Sequence, residues 1–368
     1  MSDAPRWAEL RPEHYTDAAV WRDEQRRVFA GAWQPVGLAS ALAQHNDYLC
    51  VEVAGRSVVV QNFHGALRAF DNVCSHRQSP LRCAGEGNGP LRCPYHGWTF
   101  DQDGLPSGVP NRRRFLGWSD GLAASLALGR WAVETLGPLV FVCAAPASTL
   151  AASLGPLSDK MSARLGAAAR SLDAHSFEVA CNWKLMVENG LEAYHVPLVH
   201  PQTLHRHGLE ELSQAEHGPH SQSLFRAESG GRVGKALRYA YPGAAVGEQY
   251  THTLLFPNVY VVDVYGLYLA VSRIDPTGAG TSRFTSWVFV TWDGADGNVE
   301  LREQLNASNA EFFRRGYGED RAVCEGVQRA MAQTTRVALL GLDEERILMF
   351  QRSWKRCMEG PTTETATP

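Results

Sequence analysis

The chain has 368 residues, room for two or three domains with sizeable cores. Apolar residues make up 44 % and charged ones 20 %, and the net charge is −4, so nothing in the balance points to nucleic acid. No apolar run reaches the roughly 18 residues of a membrane span, and the opening Met1-Ser2-Asp3-Ala4-Pro5-Arg6 lacks an apolar signal core, so no membrane partner and a cytoplasmic location are expected. The eight cysteines are scattered over the chain, and reduced thiols are the default for such a location.

Residues 1–35 read as an N-terminal helical arm, with Val20, Trp21, Glu24 or Gln25 and Val28 spaced at helical intervals between Asp17 and Phe29. Residues 36–147 read as β structure. Tyr48 to Val53 and Ser57 to Asn62 form a hairpin turning at Gly55, and His64-Gly65 turns into a strand from Leu67 to Phe70. Trp98-Thr99-Phe100 gives another strand before a tight turn at Asp103-Gly104, and Pro138 to Cys143 closes the domain. Between these strands stand Cys74-Ser75-His76 and, after sixteen intervening residues, Cys93-Pro94-Tyr95-His96. Each half offers one thiolate and one imidazole. A [2Fe–2S] cluster of the Rieske kind needs two cysteines on one iron and two histidines on the other. Zinc also accepts mixed Cys/His sets, but its motifs usually run Cys-x2–4-Cys and His-x3–5-His. Glycines 85, 87 and 89 read as a simple loop, since a dinucleotide site would need a strand before them and a helix after; no NAD or flavin fingerprint appears.

Residues 148–358 make a second, larger domain. An Ala/Leu/Ser-rich stretch, 148–175, reads as helical, and Ser176 to Trp183 alternates like a strand. From Lys184 to Val196 a helix is expected, placing Glu188, Glu192 and His195 on one face, with Pro197 ending it and His200 folding back beside His195. Two converging imidazoles suit iron(II). Taken alone they would be ordinary histidines; a one-electron carrier in the same chain changes that, because it needs something to reduce. Residues 201–250 read as loops around a site, strands return from Tyr250 to Trp292, and helices follow near 298–315 and 319–339. At helical spacing Asp320 shares a face with Val323, Cys324, Val327 and Met331, and a carboxylate on an apolar stripe is costly unless paired or metal-bound. Glu319 is the alternative. The Thr/Pro-rich tail, 359–368, is expected to be disordered.

Three stretches carry a family likeness: Cys93-Pro94-Tyr95-His96-Gly97-Trp98, the run from Asn182 to His200, and Glu319-Asp320 with Cys324-Glu325-Gly326-Val327-Gln328. Together they resemble the catalytic (alpha) subunit of Rieske non-haem iron oxygenases, the aromatic-ring-hydroxylating and quaternary-ammonium oxygenase family. High-potential Rieske proteins pair a spare cysteine such as Cys83 with one between the second Cys and His; Pro94 and Tyr95 fill that space here, which points to the oxygenase branch. The resemblance implies an α+β fold, with an N-terminal antiparallel β Rieske [2Fe–2S] domain and a helix-grip catalytic domain whose antiparallel sheet surrounds a long helix. It implies Cys74, His76, Cys93 and His96 on the cluster, His195, His200 and Asp320 on a mononuclear Fe(II), and Glu192 and Asn189 as catalytic residues. The family links its two metal sites across a subunit boundary through a carboxylate at the Glu192 position; this is usually Asp, whereas carnitine and betaine oxygenases resemble this chain in carrying Glu. A homotrimer, a separate NAD(P)H-dependent reductase or ferredoxin, O2 and a small organic substrate are implied. That substrate is either an N-methyl or quaternary ammonium compound, with Tyr260, Tyr265, Tyr268 and Trp287 as candidate cation–π walls, or an aromatic ring. A Rieske electron-transfer protein with a non-catalytic ligand-binding domain is the alternative.

Overall fold

The computed structural model describes residues 4–227, 230–292, 294 and 297–360. The chain divides into two compact units, one of Phe29–Ser153 and one that joins Met1–Val28 to Leu154–Pro361.

The smaller unit is built on a seven-stranded sheet. Its strands are β1 (Gln34–Leu38), β2 (Asp47–Val53), β3 (Arg56–Phe63), β4 (Ala66–Asp71), β5 (Gly85–Asn88), β6 (Arg130–Leu136) and β7 (Leu139–Cys143), in the order β1-β7-β6-β4-β3-β2-β5. The expected hairpin is there: Tyr48 faces Gln61, and Val53 faces Arg56 across the two-residue turn Ala54-Gly55. Both turn residues take positive φ, 48° and 79°, which matches the twist of the flanking strands. The glycine stretch expected as a loop is instead the edge strand β5, paired to β2 from Asp47↔Asn88 to Cys50↔Gly85. Ladder hydrogen bonds come from the main chain, so a run that is half glycine still pairs. Phe70, Leu81, Leu91, Trp98, Phe100 and Leu128 pack with Cys74 and Cys93 into one buried cluster.

The larger unit holds a second seven-stranded antiparallel sheet: β8 (Arg170–Val179), β9 (Leu209–His217), β10 (His220–Ala227), β11 (Gln249–Leu255), β12 (Val259–Val264), β13 (Tyr268–Gly278) and β14 (Thr281–Val290), in the order β8-β14-β13-β12-β11-β10-β9. Four helices matter to the site: α1 (Ala18–Glu24), α2 (Trp183–Asn189), α3 (Val299–Met331) and α4 (Glu345–Glu359). The fold is α+β, with α3 packed on α2 and β8.

Several expectations are corrected here. The stretch 148–175 gives only short helices, Leu150–Ser153 and Ser158–Gly166, before β8 begins at Arg170. The loops expected over 201–250 contain β9, β10 and a helix at Gly230–Ala240. β9 is a polar edge strand with no apolar alternation to read. Two helices near 298–315 and 319–339 are one, the 33-residue α3, which runs through Gly316 and Gly318. Residues up to Val28, set apart as an arm, cluster with the larger unit. From 361 onward the tail lies outside the described residues, and Glu359 ends α4.

Buried polar pairs tie the helices of this unit together. Glu24 on α1 is fully buried and accepts from Lys184 Nζ at 2.5 Å, Trp183 Nε1 at 2.9 Å and Trp354 Nε1 at 2.8 Å. One carboxylate thus joins α1, α2 and α4. Burial lowers the Lys184 pKa, and Glu24 opposes that pull.

Candidate metal centres

In the smaller unit the two Cys/His loops have the same main-chain wiring. Cys74 N donates to Ser79 O at 2.9 Å and Gln78 N to Cys74 O at 2.9 Å; in the second loop Cys93 N donates to Trp98 O at 2.7 Å and Gly97 N to Cys93 O at 3.0 Å. The fourth residue after each cysteine sits at positive φ, Gln78 at 52° and Gly97 at 75°. Gly97 suits that conformation without strain. The loops bring His76 and His96 together edge to face, ring centroids 4.7 Å apart, with His76 stacked at 4.7 Å on the buried Trp98. Both sulfurs are buried, and burial raises the Cys74 thiol, with the neighbouring Cys93 thiol adding to the rise.

Nδ1 of His76 and Nδ1 of His96 are buried and have no hydrogen-bond partner. Burying a ring nitrogen unpaired is costly. Two such nitrogens beside two buried thiols are the donor set that a two-iron cluster with mixed ligands requires, so the residues fit the group. Cys83, by contrast, is exposed and free, as expected for a cysteine with no partner.

In the larger unit α2 is capped by the Asn182 side chain, which accepts from Lys184 N at 3.0 Å. The helix stops at Asn189, seven residues short of the expected Val196. A Cβ at Gly190 would lie 2.6 Å from the Tyr260 hydroxyl, so only glycine allows this approach. The same hydroxyl shares its one proton between the carbonyls of Met186, at 3.1 Å, and Val187 at the end of the helix. Pro197 does not end the helix; it sits in the first turn of a new one at Val196–Val199, where its missing N–H costs nothing.

Because of that break, Glu188 leaves the face it was expected to share with Glu192 and His195. It is bound by Tyr15 Oη at 2.7 Å and Gln351 Nε2 at 2.9 Å, and burial pushes it up to about 7. Glu192 and His195 remain together: Glu192 Oε1 accepts from His195 Nδ1, and Oε2 accepts from His195 N at 3.1 Å.

His195, His200 and Asp320 offer three ligand atoms that lie within 4.8 Å of one another. Nε2 of His195 is 3.2 Å from Nε2 of His200, and Asp320 Oδ1 is 2.9 Å from the latter and 3.5 Å from the former. Each of the three has a hydrogen-bond partner outside the triad. Glu192 holds His195; Glu319 Oε2 accepts from His200 Nδ1 at 2.8 Å; Asn189 Nδ2 donates to Asp320 Oδ1 at 2.7 Å. With protons on both Nδ1 atoms, the two Nε2 lone pairs face each other beside a carboxylate. The donor set fits a metal with two imidazoles and one carboxylate. The same carboxylates outweigh burial and push His195 up to about 9, while the imidazoles hold Asp320 down at about 2 against its burial.

Glu319 therefore meets the outer nitrogen of His200 and not the point where the three donors converge. It also accepts from Thr203 Oγ1 at 2.7 Å. The apolar stripe used to single out Asp320 is not continuous: Val323 and Val327 are 38 % and 39 % exposed. Asp320 is enclosed instead by Asn189 and the histidines.

Above the triad lies a cavity walled by Tyr250, Tyr260, Phe284, Phe312, Phe313 and Tyr317, with Arg346 and His252 also lining it. Of the four aromatics expected, only Tyr260 faces it; Tyr265 and Tyr268 line a neighbouring cavity, and Trp287 is packed in β14. Tyr317 and Phe313 stand four residues apart on α3, a helical spacing that breaking the helix at Gly316 obscures.

This fold, with paired loops of two cysteines and two histidines in one unit and a cage of two imidazoles and a carboxylate in the other, defines a Rieske-type oxygenase. The ring hydroxylating alpha subunit (catalytic domain) family matches residues 167–360, more than half of the chain, and the Rieske [2Fe-2S] domain matches residues 32–127. The chain belongs to the ring hydroxylating alpha subunit family and is an enzyme, a Rieske terminal oxygenase with a [2Fe–2S] cluster and a mononuclear non-haem iron. Choline monooxygenase from Beta vulgaris is 24 % identical over 333 residues, 86 % of this chain and 69 % of that one. The carnitine monooxygenase oxygenase subunit of Escherichia coli (strain K12) is 34 % identical over 202 residues, 51 % of this chain and 50 % of that one. Among solved structures, a quaternary ammonium Rieske monooxygenase with gamma-butyrobetaine superposes with a TM-score of 0.77 at 21 % identity, covering 96 % of each chain. Naphthalene 1,2-dioxygenase from Rhodococcus sp. superposes with a TM-score of 0.74 at 18 % identity, covering 95 % of this chain and 94 % of that one. Both share the fold.

Proposed function

We propose that Cys74, His76, Cys93 and His96 hold the cluster, that His195, His200 and Asp320 hold the iron, and that the protein oxygenates the N-methyl group of a small ammonium compound, which then loses formaldehyde. The observation that carries this is the cage of three converging donor atoms opening on an aromatic cavity. When bound, the iron supplies reductive activation of O2. The chain's own residues do the rest. Glu192 and Glu319 fix the tautomer and direction of the two imidazoles, Asn189 sets the carboxylate, and the faces of Tyr250, Tyr260 and Tyr317 offer a surface for a methylated cation. Hydroxylation of an aromatic ring is the second reading, favoured by Leu204, Leu209 and Val262, which make part of the same wall apolar.

The oxygenase needs an electron donor, which this reading makes a separate NAD(P)H-dependent reductase or ferredoxin reaching the imidazoles of His76 and His96. It makes the assembly a homotrimer, in which Glu192 meets His96 of the partner subunit. It sets the protein in the cytoplasm, a reducing compartment consistent with eight free cysteines; among the described residues no helix is long and apolar enough to cross a membrane.

The test combines metal analysis with turnover. Iron is expected at about three per chain, falling to about two in Asp320→Ala with the cluster spectrum intact. With a surrogate reductase, the parent is expected to couple O2 uptake to formaldehyde from a trimethylammonium compound. Full iron and turnover in Asp320→Ala, with both lost in Glu319→Ala, would overturn the ligand assignment.

A further inference from the structure

Arg346 of α4 lines the same cavity as the His195, His200 and Asp320 cage and is 1 % exposed. Its Nε donates to Ser221 Oγ at 3.1 Å, its Nη1 to Ser223 Oγ at 3.2 Å and its Nη2 to the Ser221 carbonyl at 3.3 Å. Nη1 and Nη2 also donate to His252 Nδ1, at the long distances of 3.4 and 3.5 Å, so all five N–H groups have an acceptor. None of these partners carries a negative charge. Glu211, on the polar edge strand β9, acts on the guanidinium only through space, and its carboxylate accepts from Gln214 at 2.9 Å.

Hydroxyls and a carbonyl satisfy N–H groups but do not neutralise a cation. A charge taken fully out of water is normally paired. This unit follows that rule elsewhere: Lys184 meets Glu24 at 2.5 Å, and Arg273 meets Asp275 at 2.5 Å. Arg346 departs from it. Burial pulls its pKa down to about 10, so it stays protonated at neutral pH. Because a guanidinium can only donate, His252 Nδ1 must accept. His252 is held neutral, by burial first and by Arg346 second, so it brings no negative charge to the guanidinium.

We propose that the unneutralised guanidinium of Arg346, beside the neutral His252, is an anion receptor in the substrate cavity, and that the substrate carries a carboxylate which takes over the two long Nη contacts now made to His252 Nδ1 while its oxidised carbon faces the His195, His200 and Asp320 cage. This rests on the oxygenase reading above and narrows its substrate to an organic acid, either a trimethylammonium carboxylate or an aromatic one. A plain trimethylammonium alcohol would meet an uncompensated cation in the cavity.

The test is calorimetric binding to the anaerobic holoenzyme of two acid–amide pairs: gamma-butyrobetaine with its carboxamide, and 4-methylbenzoate with 4-methylbenzamide. In at least one pair the acid is expected to bind about tenfold or more tightly than the amide. Arg346→Gln is expected to weaken that acid on the order of 30-fold or more, leave the amide within about twofold, and keep both metals. The pair that responds tells the ammonium acid from the aromatic one. Equal binding of acid and amide in both pairs, no binding of either acid, or equal losses for acid and amide in Arg346→Gln overturns the receptor. The acid–amide comparison is made on the parent protein, so a variant that fails to fold does not block it. Arg346-dependent binding of an acid that never couples O2 uptake to product sustains the receptor and overturns the oxygenation of that substrate.

Discussion

Glu192 grips His195 twice, through the ring Nδ1 and through the main-chain N–H. The first contact fixes which nitrogen is free for a metal; the second is indifferent to charge. Glu192→Gln keeps the shape and removes the anion. It is expected to leave the content of both metals near normal and the cluster reducible, but to slow cluster reoxidation about tenfold or more when substrate and O2 meet the pre-reduced enzyme. Single-turnover kinetics measure this, and a parental rate would remove Glu192 from any link between the metals. Cys74, His76, Cys93 and His96, the proposed cluster ligands, could be picked out from spacing, because the two short loops keep them near one another in sequence. Arg346 and His252 could not: they meet from α4 and β11, 94 residues apart, and neither has a local motif.

At the scale of elements, the buried Glu24 is where sequence and packing part company. Its helical spacing with Val20 and Trp21 is readable, but a glutamate on an inward face gives no sign of the Lys184, Trp183 and Trp354 donors that come from two distant helices. Removing it strands a buried lysine. Glu24→Ala is expected to cost about 3–5 kcal/mol, read as a lower denaturant midpoint at unchanged slope. Glu24→Gln, whose one oxygen can still accept from Trp354 and Lys184 but leaves Trp183 facing an amide NH2, is expected to lose less. Helix boundaries fail for a related reason. Gly316 and Gly318 read as breakers, yet each costs a helix only about 1 kcal/mol, and a 33-residue helix packed on α2 and β8 bears that. The polar β9 and the glycine-rich β5 give no alternating pattern, since an edge strand is held by its main chain.

The whole molecule comprises two units, each with its own core and its own donor set. Cys93→Ala is accordingly expected to abolish the visible absorption and the reduced EPR signal of the cluster while the larger unit keeps its iron, at about one per chain. Cys83→Ser, at an exposed free thiol, is expected to change neither. In the larger unit α3 carries Phe312, Phe313 and Tyr317 in the cavity wall and Asp320 in the metal cage on one continuous helix. Tyr317 and Asp320 are three residues apart, about 4.5 Å along a helix axis. A guest seated against the aromatic wall therefore rests on the same helix that carries the carboxylate, less than one turn away from it.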